Sequence, residues 1–240
     1  MTVDLALVVA AVLVGAGTQR ITGMGFALMA SPFLVLVLGV ADGVATSQVL
    51  TLIASVVVLL QLWKSVEWKK AALLIVFSVA GIVPGVLLTR QLSAPVLSII
   101  IGALVIVALI AVTANDRVRV FKGPAGAASA GALSGFMNVT AGVGGPPIVL
   151  YRLSTDWAHE PYIATVQVYF IGLNIASLIA GGGPGLGTAT WTAAVAALGG
   201  GLLLGDRLAR RVTDRQARIT IIIVALGGAV ATVVKGISNL

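Results

Sequence analysis

The chain alternates between long apolar runs and short polar clusters. Apolar runs occupy 3–38, 44–63, 71–89, 95–114, 123–151, 161–180, 189–206 and 219–234. A helix rises 1.5 Å per residue, so a bilayer core takes roughly 20 apolar residues to cross. Six of the eight runs fit one crossing each. The first and fifth are too long for one helix, and glycine, proline and polar residues interrupt them at 15–25 and 138–147. The pattern predicts an all-α polytopic membrane protein with about eight hydrophobic segments, the first and fifth broken or re-entrant. Composition agrees. Of 240 residues, 59% are hydrophobic and 10% charged, and the mean hydropathy is +1.11. A water-soluble fold of this size has too little core to bury so much apolar surface. The N-terminal run carries Asp4 and no Lys or Arg before it, so it reads as retained membrane segment rather than a signal peptide. There is no cysteine, which removes disulfides and thiolate chemistry.

The net charge of +7 bears on topology rather than on nucleic acid. Lys64, Lys69 and Lys70 cluster in 64–70, Arg117, Arg119 and Lys122 in 115–122, and five arginines in 207–218. Short basic loops stay in the cytoplasm. That rule puts these three loops inside, with Arg152, and puts 39–43, 90–94 and 181–188 outside. The count closes only if 123–151 begins and ends on one side, as a double crossing or, the favoured form, a re-entrant hairpin. The expected location is a bacterial inner membrane.

The chain also repeats. Ala45-Thr46-Ser47-Gln48-Val49 returns 119 residues later as Ala164-Thr165-Val166-Gln167-Val168. Gly23 and Gly25 match Gly142 and Gly144 at the same offset, and Gly81, Gly85, Leu88 and Arg90 match Gly201, Gly205, Leu208 and Arg210 at 120. Two repeats follow, 1–119 and 120–240, within one membrane domain. Loop 39–43 is outside and its counterpart near 158–162 inside, so the repeats are inverted. Inverted repeats with broken helices and a site between them are a transporter architecture.

The candidate chemistry lies at the breaks. Backbone leaves helical form inside a bilayer only where protein or a watery cavity satisfies its polar groups. Half-helices starting near Gly25 and near Gly145-Pro146-Pro147 would direct free N–H groups and positive dipole ends at a common point, an anion site with no charged side chain. Close helix packing through small residues is the competing explanation of the glycines. Gln48, Thr51 and Ser55 share a helix face, and so do their counterparts Gln167, Phe170 and Asn174. Those amides either face a ligand or bond between helices. Arg20 has no counterpart cation, since Val139 occupies that place; it pairs with or gates an anion, or snorkels from a turn. His159, the single histidine, reads as a loop residue.

The residues resemble the TauE/SafE sulfite-exporter family of bacterial membrane transporters. The resemblance rests on Gly23-Met24-Gly25 with Pro32, on Gly131-Ala132-Leu133-Ser134-Gly135, on Gly142-Val143-Gly144-Gly145-Pro146-Pro147, on Ala164-Thr165, on Asn174 and on the 201–211 segment. Members commonly carry a Gly-x-Gly-Gly-Gly run where this chain has Gly23-Met24-Gly25-Phe26-Ala27. The resemblance implies a multi-pass carrier of small sulfur oxyanions or organosulfonates. The expectation is therefore a secondary transporter of a small anion, working by alternating access. Gly23, Gly25, Gln48, Asn138, Gly142, Gly144, Gly145, Pro146, Gln167, Asn174 and Arg20 would line its site. The expected partners are the anion and the lipid bilayer, with no nucleic acid; a homo-oligomer stays open. No nucleotide motif or other cofactor signature appears. An anion channel is the alternative. An intramembrane enzyme would need a buried nucleophile–base pair or metal cluster, for which one loop histidine is a poor start.

Overall fold

The computed structural model describes residues 2–22, 25–113, 121–208 and 214–240; the side chains of 2, 3, 20–22, 25, 206, 208, 214, 215, 217, 218 and 221 fall outside the description. The described residues form ten α-helices and no strand. They are α1 (Thr2–Thr22), α2 (Gly25–Leu38), α3 (Val40–Leu62), α4 (Trp68–Gln91), α5 (Ala94–Thr113), α6 (Gly123–Ala141), α7 (Gly145–Thr155), α8 (His159–Gly181), α9 (Thr188–Leu208) and α10 (Asp214–Ser238). Each of the two overlong apolar runs becomes two helices, α1–α2 and α6–α7. Five segments are long and apolar enough to cross a membrane: Val40–Ser65, Trp68–Gln91, Ala94–Thr113, His159–Gly181 and Thr188–Gly205. The helices exceed the hydropathy boundaries by about a turn. Trp68, Lys69 and Lys70 carry α4 past the apolar run that begins at 71, because backbone hydrogen bonding continues where hydrocarbon stops.

Large apolar side chains face outward along these helices. Leu60, Val76, Val107, Ile110, Ile179, Leu203 and Ile223 are all exposed. Water would penalise such a surface, whereas acyl chains cover it without cost. The interior instead holds polar residues with small and aromatic side chains. Tyr162, Tyr169, Leu173 and Ile148 anchor one cluster beneath α4, α6 and α8. Phe26, Leu34, Leu50 and Leu198 anchor another between α1, α2, α3 and α9.

The helix pairing has a crossed form. α4 packs along α6, and α9 packs along α1; α3 pairs with α8, and α5 with α10. Close glycine contacts hold the first two pairs. A Cβ on Gly81 would lie within 1.8 Å of the Ala132 carbonyl oxygen, and one on Gly201 within 2.5 Å of the Leu13 carbonyl oxygen.

Polar contacts sort the loops into two ends. At one end Ser65 Oγ donates to Glu160 Oε1 at 2.8 Å, and the Glu67 N–H to Thr165 Oγ1 at 2.9 Å. Lys70 Nζ sits 4.5 Å above the Trp157 ring. The Phe121 N–H donates to Ser154 Oγ at 3.2 Å, also at this end. So α6 leaves this end and α7 returns to it, making a helical hairpin with its tip at 142–144. At the opposite end the Gly185 N–H donates to Asp42 Oδ1 at 2.8 Å, and Lys235 Nζ to the Leu36 carbonyl at 2.6 Å.

Candidate functional site

The hairpin tip owes its form to glycine. α6 stops because Gly142 takes φ +69°, a left-handed conformation that an L side chain enters at a cost. A Cβ there would also meet Ser31 Oγ at 2.8 Å. The Gly142→Ala variant is expected to lose roughly 1–2 kcal/mol from backbone strain, more from that crowding, and to melt well below wild type in detergent. Gly183→Ala, where nothing approaches within 4 Å, is the control expected to melt unchanged.

A helix leaves its last carbonyls without intrahelical donors. Here side chains from α2 and α3 reach them. Ser31 Oγ donates to the Ala141 carbonyl at 2.5 Å, Ser47 Oγ to that of Gly142 at 3.5 Å, and Gln48 Nε2 to that of Asn138 at 2.8 Å. Gln48 is thus tied to the hairpin. Asn138, on the last turn of α6, extends Nδ2 to Asn174 Oδ1 and to Ser177 Oγ, both at 3.0 Å on α8. Asn174 in turn donates Nδ2 to its own helix at the Phe170 carbonyl, 2.8 Å. On the other flank Tyr169 OH donates to Ser134 Oγ at 2.7 Å, and Ser134 Oγ donates to the Gly144 carbonyl. All these side chains are buried. In a medium that poorly solvates dipoles, such a network fixes the tip, because each bond lost leaves an uncompensated group.

α7 begins at Gly145 with Pro146 and Pro147 in its first turn. The prolines suit that position and carry no N–H. The N–H groups of Gly144 and Gly145 precede the first intrahelical bond of α7, so the helix offers them no acceptor.

Two cavities lie near this tip. A vestibule of about 530 Å³ opens at the end that holds Asp42, Arg90 and Gly182, and it descends to Gln48, Val139 and Ser177. Beyond Gln48 and Asn138 lies a narrow pocket of about 10 Å³, room for one water-sized group. Gly144, Gly145, Asn138, Thr51, Phe170 and Gln19 line it, together with Ala27 and Leu28 from the first turn of α2. The starts of α2 and α7 therefore face one small space. No charged side chain lines it among the described residues. Gln19 is 2% exposed, and its Oε1 has no hydrogen-bond partner among the described residues.

Seven of the eleven sequence-derived candidates fall into three groups. Asn138, Gly144 and Gly145 line the pocket; Gln48 lines the vestibule and bonds to Asn138; Asn174, Gly142 and Pro146 brace the tip. Gln167 is buried, lines neither cavity, and donates Nε2 to its own helix at the Ile163 carbonyl, 3.1 Å. Gly23 lies outside the described residues, as does the side chain of Arg20, while Gly25 is described only as the first residue of α2. Sequence reasoning passed over Gln19, Ser31, Ser134 and Tyr169. For Gln19 a signal existed: Asn138 stands 119 residues after it, the offset of the repeat.

A family model described as Sulfite exporter TauE/SafE matches residues 7–232. The chain belongs to the TauE/SafE family. Its apolar helices are thus those of a multi-pass membrane protein from a transporter family. No curated protein and no solved structure matches it.

Proposed function

We propose that this TauE/SafE chain is a secondary carrier of a small sulfur oxyanion or sulfonate, bound between the first turns of α2 and α7. The observation that carries the reading is the convergence of these two helix starts on one pocket that no charged side chain lines among the described residues; at about 10 Å³ it admits one water-sized group in this state and must widen to take the anion. Helix N-termini present unpaired N–H groups and a partial positive charge, which suits an oxyanion. Asn138 lines the pocket with its Nδ2 committed to Asn174 and Ser177, so it holds the tip in place beside the anion, and Gln48 stands between pocket and vestibule.

Two features support alternating access. The vestibule approaches the site from the end that holds Asp42 and Arg90, with Gln48 at its floor and Asn138 at the pocket beyond. The crossed pairing supports two inverted halves: α4 on α6 is mirrored by α9 on α1, and Gly81 against Ala132 by Gly201 against Leu13, 120 and 119 residues apart. Rocking about such a symmetric seam exchanges which end is open. The loops 64–70, 115–122 and 207–218 are read as cytoplasmic. Loop 64–70 and the open ends of the α6–α7 hairpin share one end of the molecule, so the hairpin is re-entrant from the cytoplasm and the vestibule faces outward. Arg90 at its mouth would draw anions in.

Proteoliposome flux tests this. Radiolabelled sulfite should enter saturably, show counterflow, and be competed by taurine or sulfoacetate, with an imposed pH gradient reporting any proton coupling. Flux that rises linearly with concentration and lacks counterflow would identify a channel, and absence of flux for every sulfur anion would remove the substrate class.

A further inference from the structure

Resting on the alternating-access reading, we infer that Thr46 and Thr165 are reciprocal gate residues. Each accepts a backbone N–H from the loop that follows the partner helix, and the carrier holds one of these two bonds at a time. In the observed form the Thr165 bond is made and the Thr46 bond is open.

Backbone and sequence together fix the equivalence of the two places. Thr46 and Thr165 hold the same position in Ala45-Thr46-Ser47-Gln48-Val49 and Ala164-Thr165-Val166-Gln167-Val168. They belong to α3 and α8, which begin 119 residues apart, at Val40 and His159, and pack together. The loops after these helices end in the same cap. The Glu67 carbonyl accepts from the Lys70 and Ala71 N–H groups at 3.0 and 3.1 Å, and the Gly187 carbonyl from those of Thr190 and Trp191 at 3.0 and 3.1 Å. Glu67 and Gly187 are therefore equivalents, 120 residues apart.

The equivalent places do different things. The Glu67 N–H donates to Thr165 Oγ1 at 2.9 Å, Ser65 Oγ bonds to Glu160 beside it, and Val66 between them is buried. That end is closed. At the vestibule end a Cβ on Gly187 would meet nothing within 4 Å. Thr46 is fully buried, and its Oγ1 has no hydrogen-bond partner among the described residues. A buried hydroxyl in that condition is costly and calls for an explanation. The repeat supplies one: the Gly187 N–H reaches Thr46 Oγ1 when the vestibule closes, as the Glu67 N–H reaches Thr165 now. The loop is already tethered one helical turn away, where the Gly185 N–H donates to Asp42 Oδ1. The cavity obeys the same relation. Ala45, Gln48 and Ser177 line the vestibule, whereas their counterparts Ala164, Gln167 and Val58 are buried. If the two halves exchange conformations, the second set is uncovered as the first is covered. Gln167 then stands in the second vestibule where Gln48 stands in the first.

The chain has no cysteine of its own, so introduced cysteines report which end is open. Val44→Cys lies on the vestibule wall and Val58→Cys at the closed end. Full-length protein in nanodiscs exposes both ends to a small charged methanethiosulfonate reagent. Val44→Cys should be labelled fast, and Val58→Cys slowly, at a rate set by the population of the opposite form. Adding Thr165→Val should raise the Val58→Cys rate about tenfold, and adding Thr46→Val should lower it about tenfold, the scale of one buried hydrogen bond. Thr165→Ser and Thr46→Ser keep the hydroxyl and should restore the original rate. Thr46→Val removes a partnerless hydroxyl from the observed form, so it should melt no lower than wild type, which guards against a folding artefact. Val58→Cys labelling that moves the same way in both valine variants, or in neither, overturns the gate assignment. Val58→Cys labelled as fast as Val44→Cys overturns it together with alternating access. Wild type that carries no sulfur anion removes the substrate reading alone, because labelling needs no substrate and still decides the gate.

Discussion

Asn138→Ala is expected to cut the initial rate of sulfite uptake by about 100-fold or more while the protein still purifies as a monodisperse species. The argument starts from what the side chain holds. Asn138 Nδ2 bridges Asn174 Oδ1 and Ser177 Oγ, each at 3.0 Å, and the same residue lines the pocket. Truncation strands two buried acceptors on α8 and removes a pocket amide. Each buried polar group left unsatisfied costs about 1–3 kcal/mol, and about 2.7 kcal/mol corresponds to 100-fold in a rate or binding constant. Not all of this falls on stability. The backbone carbonyl of Asn138, which accepts from Gln48 and from the Gly142 N–H, survives the substitution, so the hairpin tip keeps its tie to α3. Ser177→Ala removes one of the two acceptors and leaves Asn174 in place, so its effect on uptake should be no more than about tenfold. Uptake by Asn138→Ala within twofold of wild type would show that the bridge is structural and that the pocket lies elsewhere.

Much of this architecture was legible in the chain. Two apolar runs too long for one crossing each pointed to a break, and the second falls at Gly142 to Gly144 within its expected 138–147 window, whereas the first window, 15–25, is helical in α1 through Thr22 and residues 23–24 lie outside the described residues. The length rule placed the five helices that are long and apolar enough to cross a membrane to within about a turn. The site was legible only in part. Gln48 and Gln167 are equivalents in sequence, yet one crosses to the hairpin and the other bonds within its own helix. Periodicity fixes which face a residue occupies, but the partner of that face depends on helix rotation and depth, which no repeat offset encodes. Capping is similarly hidden. Nothing near Ser31 or Ser47 announces that their hydroxyls meet the final carbonyls of a helix about 100 positions away. Gln19 stands beside Arg20, the more conspicuous charge of the first break, yet the repeat pairs Gln19 with the polar Asn138 and Arg20 with Val139.

The largest loss of stability is expected at a glycine rather than at a polar residue. Gly135→Ala should eliminate folded, extractable protein or lower its melting temperature by about 10 °C or more, the scale of about 3–5 kcal/mol in a chain of this size. α6 lies so close to α4 that a Cβ at position 135 would stand 2.0 Å from the Ser78 carbonyl oxygen and 2.8 Å from its carbonyl carbon. The reciprocal contact is tighter, with a Cβ on Gly81 1.8 Å from the Ala132 carbonyl oxygen. These obstacles are backbone atoms, so no rotamer change relieves them, and the helices must separate. In a bilayer, helix association rests on close packing rather than on exclusion of water, and separation forfeits the dispersion contacts of the whole seam. It would also disturb the site, since α6 carries Ser134 and Asn138 one residue before and three after Gly135. Gly81→Ala should therefore behave like Gly135→Ala. Gly199→Ala and Gly200→Ala, on α9 where nothing approaches within 4 Å, should leave melting and uptake within error of wild type. A Gly135→Ala protein that melts with wild type would mean that α4 and α6 are held apart in the membrane, and the positions of Ser134 and Asn138 relative to α8 would need to be redrawn with them.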